Sequence, residues 1–201
     1  MINIVIALKM EAMPIISRLS LKQMASKPYC VYRNRNIQLI VSGPGAHKAY
    51  AATSYLHAYS EPGVPAYWIN LGIGGHRYLP VGCAVRAAEV SDVSARLHFT
   101  PSLACTWPSY KKPIISVAEA EQHYPEDAVY DMEAYGMLAA AAKMARMHRI
   151  QVVKIISDNS MHSAKRLRSE NVKQLVLGHC EPIVEWLQQL ETQSETHELE
   201  L

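Results

Sequence analysis

The segment IQVVKIIS, residues 150–157, constrains the fold more than any other stretch of the chain. A strand with one wet face alternates apolar and polar residues, whereas a nearly continuous apolar run is buried on both faces. Such a strand needs helices above and below it, and Asp158-Asn159 then stops it. The rest of the chain agrees. Residues 2–8 and 66–71 and Ile37–Val41 read as further strands, the latter two running into GIGG and SGPG. Residues 46–59 and 132–148 are rich in alanine and poor in β-branched residues, which suits helices packed closely on a sheet. Residues 172–177 and 182–190 also read as helical, with Pro182 suited to a helix start, and 191–201 as a frayed polar tail. Alternating strands and helices predict an α/β protein. With 201 residues, one domain over residues 1–190 is expected.

Composition narrows the partners. A formal net charge of +2 is too near neutrality to argue for nucleic acid or an anionic membrane as the principal partner. The first apolar run is short and followed by Lys9 and Glu11, so it reads as a buried strand rather than a leader or a membrane span. Cys30, Cys83, Cys105 and Cys180 are scattered without a CxxC pair, as free thiols of a cytoplasmic protein would be.

Several chemistries lose their motif. LGIGGHR would need glycine at position 77 to complete a dinucleotide fingerprint, and Arg77 stands there. SGPGAHKA lacks the lysine and hydroxyl of a phosphate loop. No HExxH, zinc-ligand spacing or GxSxG elbow occurs, so neither metal nor cofactor is expected. The basic cluster Lys165-Arg166-Leu167-Arg168 reads as a solvated helix face.

What remains is carboxylates placed where ligands bind. Open α/β sheets bind ligands beyond the carboxyl ends of their strands. Glu11 falls just past the first strand, Gly72 to Gly75 past the strand ending at Leu71, and Asp158 past the strand 150–157. Asp131 and Glu133 open the helix that feeds that same strand. Taken singly, Asp131 reads first as a helix cap and Asp158 equally well as one. Glu133, among Met132, Ala134 and Met137, reads as buried and in need of a partner. Together they suit glycosidic bond cleavage, in which one carboxyl protonates the leaving group, another activates water, and further acceptors hold sugar hydroxyls.

Five segments in order, IVIALKMEA, LIVSGPGAHKAYAAT, INLGIGGHRYLPVGCAV, VYDMEAYG and VVKIISDN, resemble the purine nucleoside phosphorylase and nucleosidase superfamily. The likeness is greatest to its hydrolytic branch of methylthioadenosine/adenosylhomocysteine nucleosidase type. The resemblance implies a single-domain three-layer α/β/α fold around a central mixed, largely parallel twisted sheet. It implies a cytoplasmic homodimer acting on a small-molecule nucleoside in nucleoside metabolism such as purine salvage. By position, Glu11 would activate water, Glu133 would hold the ribose 2′- and 3′-hydroxyls, and Met132 would pack on the sugar. Asp158 would protonate the departing purine at N7, while Gly72 and Ile73 would approach the ribose and the nucleophile. The chain departs from the pattern in three places. Ile73 stands where a serine is common, Asp131 replaces a glutamate, and residues 99–117 contain no S-G-D-x-F segment to lie over the base.

Two other functions are compatible with these residues. A phosphorylase would need cations near Gly72, for which Arg77 and Arg86 are candidates. A non-catalytic nucleoside-binding protein would keep the fold without the chemistry.

Overall fold

A computed structural model of the chain describes residues 1–60, 65–93, 96–97, 107–108 and 110–198. The chain opens with β1 (Ile2–Ile6), α1 (Lys9–Arg18), β2 (Lys22–Ala25), β3 (Cys30–Arg33), β4 (Ile37–Val41) and α2 (Ala46–His57). It continues through β5 (Tyr67–Gly75), β6 (Ala84–Asp92), β7 (Arg96–Leu97), β8 (Tyr110–Ser116), β9 (Val129–Asp131) and α3 (Ala134–Ala141). A short 3-10 turn at Met147–Arg149 leads into β10 (Ile150–Asp158), followed by α4 (Ser169–Leu177) and α5 (Cys180–Glu198).

The apolar run 150–157 becomes β10, and every one of its residues is buried. It runs parallel to β5 and antiparallel to β6. Side-chain alternation divides the core between the two faces of the sheet. Ile4, Ile69 and Ile155 join Ile15 of α1 and Trp186 and Leu187 of α5 in one apolar cluster. Val5, Trp68 and Ile156 join Ala49 and Ala52 of α2 and Met137 and Leu138 of α3 in another.

The sheet is mixed, and its longer ladders are the parallel ones. β5, β1 and β4 pair in parallel, as do β6, β8 and β9, yet antiparallel pairings are as numerous among the described residues. Two hairpin strands at the edge, β2 and β3, account for two of the antiparallel pairings. The others set β6 against β10 and β7, and β9 against β5. Pairings pass from β5 through β10, β6, β8 and β9 and return to β5 where Gly75 meets Tyr130.

Three expectations change. The glycines after Leu71 form no loop: β5 continues through Gly75, paired with β10 across a register shift between Ile156 and Asp158. A Cβ at Gly74 would lie 2.7 Å from Val129, so the glycine lets β9 close against β5. The helix expected over 132–148 spans only Ala134–Ala141, because Asp131 ends a strand and residues 142–146 form a turn. The last helix runs to Glu198, through most of the stretch that composition assigns to a tail. Residues 98–106 and 109, most of the irregular stretch 99–113 and including Cys105, lie outside the described residues. Cys30, Cys83 and Cys180 are free thiols.

Candidate active site

Glu11, Ile73, Met132, Glu133 and Asp158 line one cavity of about 400 Å³. That is room for a small organic ligand. The cavity lies at the carboxyl ends of β1, β5 and β10, so topology alone brings together side chains from opposite ends of the chain. Gly72 is the exception among the expected site residues. It is buried behind Glu11 and does not border the cavity, and a Cβ there would stand 3.3 Å from Glu11 Oε1.

Glu11 occupies the first turn of α1, where a glutamate side chain can reach back to the start of its helix. Its Oε2 accepts the Leu8 N–H at 2.8 Å, and its Oε1 accepts the Ile73 N–H at 3.0 Å. The carboxyl is thus pinned between α1 and β5. Burial outweighs these hydrogen bonds and the nearby Lys154 charge, raising its pKa from 4.5 to about 7. A group poised there exchanges protons readily near neutral pH.

Asp131 does cap α3: its Oδ2 accepts N–H groups of Glu133 at 3.1 Å and Ala134 at 2.8 Å. Its Oδ1 accepts the Ser116 hydroxyl at 2.5 Å, and Ser116 Oγ in turn accepts the Tyr135 N–H at 2.9 Å. It has a second partner that sequence reasoning missed. Lys154, fully buried in β10, places Nζ 2.5 Å from Asp131 Oδ2 and 3.9 Å from Glu133 Oε2. Burial disfavours the ammonium charge, but Asp131, Glu133 and Glu11 together hold its pKa above the ordinary lysine value. The clue was a single lysine inside a run that had to be buried on both faces, since a buried cation requires anions.

Glu133 faces the cavity from the other side of Lys154. Its Oε1 accepts the Gly45 N–H at 2.9 Å. Burial and the Asp131 charge raise its pKa, opposed by Lys154 and the Gly45 hydrogen bond. The bond to Gly45 depends on α2 and α3 meeting almost backbone to backbone. A Cβ at Gly136 would lie 1.9 Å from the Ala46 carbonyl oxygen, so only glycine fits.

Asp158 ends β10 with both carboxyl oxygens engaged. Tyr124 donates its phenol to Oδ2, and Ser157 donates its hydroxyl to Oδ1. Tyr124 also escaped the sequence reading. It lies in the link between β8 and β9 with a left-handed backbone, φ 46°, a conformation that a bulky residue adopts only when its surroundings enforce it. Gly75 makes room for the pair, because a Cβ there would stand 2.5 Å from Asp158 Oδ2 and 2.6 Å from the Tyr124 ring. Burial, then the hydrogen bond and charge of Asp158, push the phenol pKa well above its usual value, so Tyr124 stays a donor.

Ile73 and Met132 are half-buried and offer apolar wall, while the exposed Arg168 borders the cavity at the start of α4. Neither Arg77 nor Arg86 borders it. Arg77 is exposed and stacks on Tyr78. The arrangement therefore offers a near-neutral carboxyl, a carboxylate beside a buried ammonium, and a carboxyl oriented by two hydroxyls, all around one partly apolar space.

Solved structures share this fold. A 5′-methylthioadenosine/S-adenosylhomocysteine nucleosidase from Helicobacter pylori, crystallised with butyl-thio-DADMe-Immucillin-A, matches with a TM-score of 0.74 at 13% identity, over 94% of this chain and 97% of its own. Futalosine hydrolase of the same organism also has a TM-score of 0.74 at 13% identity, over 94% and 97% of the two chains. The nucleosidase of S. pneumoniae with a transition-state inhibitor gives 0.68 at 17% identity, over 88% and 93%. No protein-family model matches the chain, and no curated protein matches it by sequence. Proteins of this kind are the ones the five sequence segments resemble, and at these identities the likeness is one of fold.

Proposed function

We propose that this protein hydrolyses the N-ribosidic bond of a purine-type or 5′-modified nucleoside. The observation that carries the reading is the meeting of Glu11, Glu133 and Asp158 around one cavity of about 400 Å³. N-riboside hydrolysis needs a base for water, a partner for the sugar and an acid for the departing base.

In this reading Glu11 takes a proton from a water that attacks the anomeric carbon. Its pKa of about 7 means that it is substantially ionised at neutral pH yet basic enough to accept that proton. Glu133 accepts hydrogen bonds from the ribose 2′- and 3′-hydroxyls, held in place by the Gly45 N–H. Lys154 keeps the Asp131 and Glu133 pair from repelling, which lets two carboxylates stay buried beside the sugar. Asp158 delivers a proton to the purine at N7. Tyr124 and Ser157 orient its carboxyl group and stabilise the charge left after transfer. Ile73 and Met132 supply apolar contact to the sugar.

Hydrolysis is preferred to phosphorolysis because a carboxylate, Glu11, occupies the nucleophile's position, and the arginines considered as phosphate ligands do not border the cavity. The test is a panel of methylthioadenosine, adenosylhomocysteine, adenosine, inosine and other 5′-modified nucleosides, with and without phosphate, read by the mass of the sugar product. Free base with free ribose and no need for phosphate supports the proposal. Sugar 1-phosphate would make the protein a phosphorylase, and binding without any product would make it a nucleoside-binding protein.

A further inference from the structure

The mechanism above leaves idle two charged side chains that border the cavity, Arg168 and Glu121. Between β8 and β9 the chain passes Val117, Ala120 and Glu121, which border the cavity together with Tyr130 and Asp158. Glu121 Oε1 accepts the N–H groups of Gln122 and His123, each at 2.8 Å. The imidazole Nδ1 of the exposed His123 lies 3.5 Å from the same oxygen. Oε2 has no hydrogen-bond partner among the described residues. The side chain is 25% exposed, and its charge is felt by the phenols of both Tyr124 and Tyr130. The two backbone N–H groups hold its carboxyl below the usual glutamate range, so it is an anion at neutral pH.

A carboxylate on the wall of a ligand cavity, fixed through one oxygen with the other unengaged, is a hydrogen-bond acceptor waiting for a donor. The Tyr124 phenol does not supply one, because it donates to Asp158. Glu121 is near Asp158 through Tyr124, which donates to Asp158 and feels the Glu121 charge, so a ligand with its base against Asp158 would have this carboxylate nearby.

We infer that Glu121 reads the base: its Oε2 accepts an N–H from the six-membered ring of the substrate, so the protein selects purines that carry a donor there over those that present only acceptors and C–H. This assignment deepens the nucleosidase reading and rests on it for the placement of the sugar.

Glu121→Gln tests the idea sharply. The glutamine oxygen still accepts the Gln122 and His123 N–H groups, so the turn is kept, while the unengaged carboxylate oxygen becomes an NH₂ donor. Binding of free adenine, hypoxanthine and unsubstituted purine is measured by calorimetry for both proteins, with thermal melts to verify the fold. The wild type is expected to bind a donor-bearing base about tenfold to a hundredfold more tightly than unsubstituted purine, the worth of a hydrogen bond to a charged group. The variant is expected to lose or invert that ratio. A ratio unaltered by the substitution, or a wild type that binds none of the bases, overturns the assignment. The titration uses no turnover, so absence of hydrolysis would defeat the nucleosidase reading while still leaving Glu121 to be judged by base binding.

Discussion

Lys154 Nζ lies 2.5 Å from Asp131 Oδ2, with both side chains almost wholly out of solvent. The pair joins the middle of β10 to the end of β9, and Lys154 Nζ also lies 3.9 Å from Glu133 Oε2. Removing the cation leaves two or three buried carboxyls with no counter-charge, and breaking a buried pair from one side is strongly destabilising. Lys154→Met is expected to cost about 3–5 kcal/mol in stability by denaturant titration. Adding Asp131→Asn should recover part of that loss. A single variant as stable as the wild type would refute the role of the pair.

Glu11 predicts the pH dependence of turnover. With its pKa raised by burial to about 7, the carboxyl is protonated and unable to act as a base at lower pH. In the free enzyme kcat/KM is expected to rise with pH up to an inflection near 7. Glu11→Gln should lower kcat by roughly 10²–10⁴-fold, the range of a lost general base. A flat profile from acid to neutral pH would exclude Glu11 as that base.

The same shift appears in stability with a definite sign. A carboxyl whose pKa is higher in the folded state contributes stability that is present below its unfolded pKa and is lost as pH rises through the folded one. For Glu11 that window runs from 4.5 to about 7. Deleting its charge therefore removes a penalty on the order of 3 kcal/mol above the window, at one pKa unit per roughly 1.4 kcal/mol. Glu11→Gln loses one acceptor for the Leu8 or Ile73 N–H at every pH. The difference in Tm between variant and wild type should accordingly move in the variant's favour from pH 5 to pH 8, roughly the ends of that window. A difference independent of pH would contradict the burial of a titrating Glu11.

Tyr124→Phe separates orientation of Asp158 from its chemistry. The ring keeps its packing, and only the hydroxyl on Asp158 Oδ2 is lost. A hydrogen bond to a charged group is worth about 1.5–3 kcal/mol, so kcat should fall roughly tenfold to a hundredfold, with KM less affected. Unaltered kcat would mean that Ser157 alone suffices to orient the carboxyl.

Gly136→Ala probes the helix contact behind Glu133. The new Cβ would lie 1.9 Å from the Ala46 carbonyl oxygen, forcing α2 away from α3. Stability should fall by about 1–3 kcal/mol or more, as for other overpacked sites. The KM for nucleoside should rise as the Gly45 hydrogen bond to Glu133 lengthens. A tolerated alanine would show that the two helices slide without consequence for the site.

The sequence by itself determined the elements whose information is local. The apolar run at 150–157 could be satisfied only by burial on both faces, so β10 and the α/β class were legible. Once strand ends were known, the rule that ligands bind beyond them selected Glu11 and Asp158 without any contact being known, and Glu133 stood out as a carboxylate among apolar residues. Asp131 as a cap was legible for the same reason, since capping acts within one helical turn. Tertiary structure decided what depends on register and proximity between distant segments. Nothing near Lys154 in the chain announces Asp131 as its partner, because the two meet only when β10 and β9 lie in the same sheet. Tyr124 reaches Asp158 through a left-handed turn and the space left by Gly75, and Gly72 to Gly75 form a strand rather than a loop because missing side chains admit neighbours. Periodicity reports which face of an element is buried, whereas a pairing of charges or hydroxyls is a distance in space, and only the folded chain supplies it.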